Sequence, residues 1–241
     1  MTAMGTAAKL RGIWRVNAYL LFIVGVLVVI GLMWILAEAA WSKLRPHGVR
    51  NVVATDESVS DEKLAYRLRS ARGNFVVLDV VSNQRIDTKF GSKDAYDALR
   101  NQVFVQVEDG STSMLFASNE RLITRVWGIK TEDVGASYRS EEGEDEGEPM
   151  RARLYEVVLK DSNADARLTE RDTKTIMLAQ GEGVQLLTLA DGIRSVQGVA
   201  LRKPHELRFV ATTDSGESHL YRFDLQNWTP LAPLSLPSLK E

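Results

Sequence analysis

The sequence predicts a single transmembrane α-helix followed by a mainly antiparallel β domain with one or two short helices. Two observations support this. An unbroken apolar run occupies residues 18–37. The later sequence alternates short stretches rich in β-branched and aromatic residues with clusters of turn-forming residues. Because the late stretches follow one another without helical segments between them, antiparallel pairing is favoured over parallel pairing.

The apolar run "AYLLFIVGVLVVIGLMWILA" contains no charged residue. A helix of about 20 residues spans about 30 Å, the thickness of a bilayer's hydrocarbon core. A cleaved signal peptide is the alternative, but its apolar core is only about 7–15 residues long. We therefore predict an uncleaved transmembrane helix over residues 17–41 in contact with the lipid bilayer. Aromatic side chains favour the headgroup region, and the predicted membrane-anchor residues are Trp14, Tyr19, Trp34 and Trp41.

The sequence predicts the orientation of the helix across the membrane less clearly than it predicts the helix itself. Three basic residues precede the run and three follow it closely, so the distribution of Lys and Arg favours neither side. A very short basic amino-terminus usually stays inside, which places residues 1–16 in the cytoplasm of a bacterium and the later residues in the periplasm. Pro46 and Gly48 should end the helix, and residues 42–59 are predicted to form a stalk.

The β-rich domain is predicted over residues 60–229. Two short helices are expected in it: "SDEKLAYRLRSA", capped by Ser60 with Leu64 and Leu68 on one face, and "SKDAYDALRN", capped by Ser92. Strands are predicted at "NFVVLDVV", "QVFVQVED", "SMLFAS", "RLITRVWGI", "RLYEVVLK", "TIMLAQ", "VQLLTLA", "LRFVATT" and "HLYRFDLQ". Turns are predicted at "EDGS", "GEG", "ADG" and "DSGE".

The end of the chain has a repeating pattern. In "ELRFVATTDSGESHLYRFDLQNWTPLA" a strand, a polar turn, a strand, a short turn and a closing strand follow in order. "RLYEVVLKDSNADARLT" repeats the second half, and "VQLLTLADGIRSVQ" is a weaker copy. Residues 151–232 thereby resemble blades of TolB-like or WD40-like β-propellers. A propeller needs at least four blades of about 40 residues, so the resemblance implies a partial or small propeller-like domain. A β-sandwich is the alternative.

Composition excludes several classes of function. The net charge is −2, which is not the balance of a nucleic-acid-binding protein. The absence of cysteine excludes disulfides and thiolate chemistry. His47, His205 and His219 are far apart in sequence, and "DSNADARLTERD" has Ala166 and Asp172 where a calcium loop requires Gly and Glu. We predict no catalytic residues, no metal site and no cofactor.

Two segments are candidates for binding a partner. The acidic loop, residues 140–149, carries Glu141, Glu142, Glu144, Asp145 and Glu146. A solvated insertion is the simpler interpretation of such a charge run. The other segment is the tail, residues 230–241.

Three prolines in the tail forbid a regular helix. Its several leucines are too many for a freely solvated end, and we expect an extended segment lying in a groove of the domain or of a partner. The leucines selected as partner-binding are Leu231, Leu234 and Leu236.

These features predict a non-catalytic accessory or scaffolding subunit of a protein complex in a bacterial inner membrane. One helix would anchor it, and the periplasmic β domain would cover or bridge other subunits through rigid surfaces and loops. The alternative is a membrane-tethered periplasmic enzyme or ligand-binding sensor. An enzyme would require acids or histidines that converge only in the fold.

Overall fold

The computed structural model describes residues 22–34, 49–55, 59–72, 74–88, 91–130, 137–138, 150–181, 185–202 and 205–238. The chain divides into two compact units, Met1–His47 and Gly48–Glu241. In the described part of the second unit the strands are, in chain order, β1 (Val49–Arg50), β2 (Val53–Ala54), β3 (Val59–Arg72), β4 (Phe75–Thr88), β5 (Gly91–Gln106), β6 (Thr112–Met114), β7 (Leu122–Ile129), β8 (Ser137–Tyr138), β9 (Ala152–Val158), β10 (Arg167–Leu168), β11 (Lys174–Gln180), β12 (Leu186–Arg202), β13 (Glu206–Thr213), β14 (Ser218–Asp224) and β15 (Thr229–Ser235).

The first unit contains an α-helix over residues 22–34, inside the predicted span of 17–41. Every side chain of this helix is exposed, including Phe22 at 70% and Trp34 at 72%. Among the described residues, no helix is both long enough and apolar enough to cross a membrane. The ends of the predicted span, with Trp14, Tyr19 and Trp41, lie outside the described residues.

The first sheet of the second unit, sheet A, is built on two long hairpins. β3 pairs with β4 and β4 with β5, both antiparallel, while β1 (parallel) and β6 (antiparallel) share the far edge of β5. The two predicted short helices are therefore wrong, because their residues form β3 and β5. Both strands pair with β4 along nearly its whole length, and this long-range pairing overrides a weak local helical pattern.

The second sheet, sheet B, follows the order β7, β9, β11, β12, β13, β14, β15, with β8 paired to β12. Residues 186–193 of β12 pair with β11, whereas residues 193–202 pair with β13. Register shifts at 193–195 and 196–198 mark β-bulges, and Gly192 has φ of 65°. Bulges bend a strand and increase its twist. The predicted turn at "ADG" is thus a bend within one continuous strand.

Strand β9 and most of β7 and β11 are buried on both faces. One face packs against sheet A through a core that includes Val77, Phe104 and Tyr155. The other packs against β12, β13 and β14 through a core that includes Leu154 and Phe209. All seven residues of β9 are consequently buried. The unit is mainly antiparallel β, as predicted, and it has three packed layers instead of the two of a sandwich.

The sequence patterns of the second half agree closely with the strands. The stretch that resembles a propeller blade forms the meander β13–β14–β15, with turns at 214–215 and 225–228. The copy that begins at 153 differs, since its last strand, β10, pairs with β2 and not with β9. The predicted strand "SMLFAS" is only partly formed, because β6 ends at Met114 and bends follow it.

Candidate functional site

The outward face of sheet A carries an apolar row that crosses four strands. Leu68, Leu78, Val103 and Met114 are cross-strand partners in succession, and directly opposed residues share one face of an antiparallel sheet. We call these four residues the apolar row. Leu68 is 63% exposed and Met114 is 46% exposed. The row is therefore open to solvent at both ends, on the face opposite the core that contains Val77.

Strand β3 adds further apolar side chains beside this row, and we call Leu64, Tyr66 and Leu68, together with the outer edge of the strand, the β3 surface. Leu64 and Tyr66 stand four and two residues ahead of Leu68, so the three side chains share one face of the strand, and Tyr66 is 70% exposed. β3 is the last strand of sheet A, and within the described residues its outer edge pairs with no other strand. Such an edge presents unpaired N–H and C=O groups that another chain can engage. Lys63 stands on the strand as a charged residue of the kind that discourages indiscriminate pairing.

A cleft of about 390 Å³ lies on the inward side of β3, next to the edge strand β7. Four guanidinium groups line it, and we call it the arginine cleft. β1 contributes Arg50, β3 contributes Arg67 and Arg69, and β7 contributes Arg125. Asp97, Glu170, Asn51 and Thr124 complete most of its polar lining.

A buried hydrogen-bond network supports this cleft from the core. Tyr155, fully buried, donates its hydroxyl hydrogen to Gln102 Oε1 at 2.7 Å. Gln102 Nε2 donates to Asp79 Oδ1 at 2.8 Å, and Arg69 Nε donates to the same oxygen at 2.8 Å. Asp79 is only 2% exposed, so its charge depends on these partners and on Arg67 at 3.6 Å. This network holds Arg69 in one orientation at the cleft wall.

The charges around Glu156 are more weakly paired. Its carboxylate lies 3.9 Å from Arg125 and accepts a hydrogen bond from the Thr124 hydroxyl at 3.3 Å. Oε1 has no hydrogen-bond partner among the described residues. Burial raises the pKa of Glu156, although Arg125 and Lys174 oppose the shift. Burial likewise lowers the pKa of Lys174, whose ammonium group donates to the main-chain oxygens of Glu170 at 2.7 Å and Arg194 at 2.8 Å.

The loop that begins like a calcium site is a structural turn. Asp161 accepts hydrogen bonds from the amides of Asn163, Asp165 and Ala166. Asp172 accepts from the amides of Ser162 and Thr169 at 2.8 and 2.9 Å, among others. Burial would raise the pKa of Asp172, but these donors outweigh it and lower that pKa. The carboxylates are thus occupied in holding the loop.

Among the described residues no group of His, Asp or Glu has the arrangement of a metal site. The acidic-loop residues Glu141–Glu146 and His47 lie outside the described residues. The tail is extended, as expected, with residues 229–235 forming the edge strand β15 on the domain's own sheet.

The described leucines of the tail are not buried in a groove of the domain itself. All residues of β15 are exposed, and the predicted partner-binding leucines keep large exposed fractions. These are Leu231 at 37%, Leu234 at 47% and Leu236 at 37%. Main-chain pairing to β14 holds the strand instead, and an edge position tolerates Pro230 and Pro233. The leucines remain available to a partner.

Both surfaces on sheet A escaped prediction from the sequence. The arginines come from positions 50, 67, 69 and 125, and no local spacing links β1 and β3 to β7. The β3 surface did leave a local signal, because Tyr66 between Leu64 and Leu68 follows the two-residue period of a strand. The helical interpretation used the two leucines and ignored the tyrosine.

No protein-family model matches this chain, and no curated protein matches it. Among solved structures, the chain is similar to the β-propeller domain of the trilobed protease from Pyrococcus furiosus, which has an open velcro topology. The identity is 8% and the TM-score 0.33, with 75% of this chain and 45% of that chain covered. The chain thus spans less than half the length of that structure. The match is to a β-propeller domain, the class that residues 151–232 resemble, and at this TM-score it carries no further argument.

Proposed function

We propose that this protein is a non-catalytic accessory subunit of a protein complex in a bacterial inner membrane. Its amino-terminal helix anchors it with the amino-terminus in the cytoplasm, and its β domain binds other subunits in the periplasm. The observation that carries the proposal is the set of exposed apolar side chains on β3, namely Leu64, Tyr66 and Leu68, beside an outer strand edge that pairs with no other described strand. Large apolar side chains on a regular sheet face are typical of protein interfaces.

The anchor is supported by the character of the helix over residues 22–34. It is apolar on every side and its side chains are all exposed. A helix that is apolar all round is stable only in a protein core or in lipid. The uncharged sequence continues beyond both ends of the described helix to fill residues 18–37, which is the length a bilayer requires.

The β3 surface offers a partner two kinds of contact. Its edge can extend sheet A by one strand through main-chain hydrogen bonds. Leu68 and Tyr66, which are both largely exposed, can be buried in the same contact, and aromatic side chains are enriched in interfaces of this kind. A partner strand added to β3 would therefore gain main-chain and side-chain contacts together.

Co-purification from native membranes tests this surface. A tagged full-length chain should retain its partner subunits when Leu159 is changed to Glu, because Leu159 is 40% exposed and belongs neither to β3 nor to the apolar row. Leu68→Glu places a charge in the middle of the surface and should release the partners while leaving the melting temperature of the chain unchanged. Equal retention by both variants would contradict the proposed interface.

The acidic loop and the tail are tested in the same assay. Replacing residues 141–148 with a short Gly/Ser segment should leave the complex intact if the loop is a solvated insertion. Leu234→Glu tests the tail on the exposed edge strand β15. Release of the partners by either change, with retention by Leu68→Glu, would move the interface to that segment.

A tethered ligand-binding protein or sensor is the second candidate, and the arginine cleft favours it over an enzyme.

The orientation in the membrane is the same for the accessory subunit and for the tethered ligand-binding protein, and it is tested separately. A reporter that is active only in the periplasm should work when fused after residue 241. Activity from a cytoplasmic reporter alone would reverse the proposed orientation.

A further inference from the structure

The arginine cleft combines a cavity with an excess of positive charge on its wall. Four arginines and two acidic residues, Asp97 and Glu170, line it. The carboxylates of Asp79 and Glu156 lie behind the wall and are both nearly inaccessible to solvent. A molecule that enters the cleft therefore meets mainly guanidinium groups, and these bind planar or tetrahedral oxyanions through paired N–H donors.

Two of the four arginines, Arg67 and Arg125, form their ion pairs in the cleft at long distances. Arg67 lies 3.6 Å from Asp79 and 3.6 Å from Asp97, and Arg125 lies 3.9 Å from Glu156. Charge-assisted hydrogen bonds are normally about 2.7–2.9 Å long, so these pairs leave N–H directions for a ligand. Arg69 is different, because Asp79 fixes it at 2.8 Å. The cleft thus has a rigid arginine flanked by adjustable ones.

We propose that the arginine cleft binds a small, soluble oxyanion that carries two or more phosphate or carboxylate groups. Its volume of about 390 Å³ falls at the lower end of the range for small-molecule sites. Only three of its lining residues are apolar, Leu99, Ile123 and Val126, whereas a lipid would also need an apolar path for its chains. The cleft shares no side chain with the apolar part of the partner surface, which lies on the opposite face of sheet A.

The test uses the full-length chain in neutral detergent with inorganic pyrophosphate as the probe. Calorimetric titration at constant ionic strength should detect binding by the wild type. Arg67→Gln should weaken binding about tenfold or more, because it removes a charge-assisted donor. Lys63→Gln is the matched control: it removes a positive charge from the same face of β3 at a position outside the cleft, and should leave the affinity unchanged.

A change of opposite sign separates binding from a merely structural role. Asp97 lies near Arg50 and Arg67 at 3.6 Å in each case. It has a backbone φ of 56°, which Asn adopts readily. Asp97→Asn should remove a negative charge beside those guanidinium groups and so tighten pyrophosphate binding a few-fold. A purely structural network would show no gain in affinity when one of its acids is removed.

The source of the anion is tested by competition. Citrate should displace pyrophosphate from the wild-type chain, whereas phosphatidylglycerol in the same micelles should not. Displacement by the lipid would overturn the assignment to a soluble anion. Equal affinity of the wild type, Arg67→Gln and Asp97→Asn for pyrophosphate, or no binding at all, would overturn the site itself.

Discussion

Tyr155→Phe removes one hydroxyl from the buried hydrogen-bond network that runs from Tyr155 through Gln102 and Asp79 to Arg69. The hydroxyl is 2.7 Å from Gln102 Oε1, and both side chains are fully buried. The ring that fills the core remains in place, so the substitution creates almost no cavity. The expected loss therefore comes from hydrogen bonding and not from packing.

The size of the loss follows from what remains at Gln102. Its Oε1 would stay buried with no replacement donor among the described residues, and leaving a buried acceptor unsatisfied costs about 1–3 kcal/mol. For a domain of about 150–250 residues, each kcal/mol shifts the melting temperature by about 2–4 °C. Tyr155→Phe should thus lower the melting temperature by about 2–12 °C.

Thermal unfolding of the full-length chain in detergent, followed by far-ultraviolet circular dichroism, measures this shift. Tyr66→Phe is the matched control, since Tyr66 is 70% exposed and its hydroxyl is free to bond with water. It should melt within about 1 °C of the wild type, as surface substitutions usually do. If Tyr155→Phe also melts within that margin, the buried hydrogen-bond network does not contribute to stability as argued.

Three further predictions concern separate features. Burial raises the pKa of Glu156 above its usual value near 4.5, so the wild type should lose stability as pH rises from that value through the raised pKa. The side chain of Glu156→Gln cannot ionise, so the melting temperature of this variant relative to the wild type should increase as the pH rises from about 4.5 through the raised pKa; a constant difference would refute the shift. Asp172→Ala leaves main-chain amides of its loop without their acceptor and should lower the free energy of unfolding by about 1–3 kcal/mol in urea, whereas an unchanged midpoint would show the loop to be dispensable. Deleting residues 230–241 removes β15 and should lower the melting temperature, while Leu234→Ala should not, because the strand is held by its main chain; equal behaviour of the two variants would contradict this.

Local patterns predicted the C-terminal meander because each of its signals acts over a few residues. "DSGE" forms the turn between β13 and β14, where Gly216 has φ of 86°. Alternation in "LRFVATT" buries Leu207, Phe209 and Ala211 on one face. Turn chemistry and a two-residue period need no knowledge of distant residues, so these elements could be read from the sequence.

The features that were missed depend on residues far apart in the chain. β3 and β5 became strands because both pair with β4, although Ser60, Ser92 and the acidic residues after them match the start of a helix. The bend in β12 arises because β11 pairs with the first half of this strand and β13 pairs with the second half. The arginine cleft exists only once β1 and β3 lie beside β7. Spacing in the sequence cannot encode such proximity.

The burial of β9 on both faces has a consequence for how the Gly48–Glu241 unit opens. Detaching either sheet A or the β12–β14 layer would expose one whole side of β9 to water, so no layer can separate at small cost. Local opening of the middle strands should then require nearly the full free energy of unfolding. The amide hydrogens of β9 should accordingly be among the slowest to exchange with solvent deuterium. Those of β15, which pairs only with β14 among the described strands and has every side chain exposed, should exchange early.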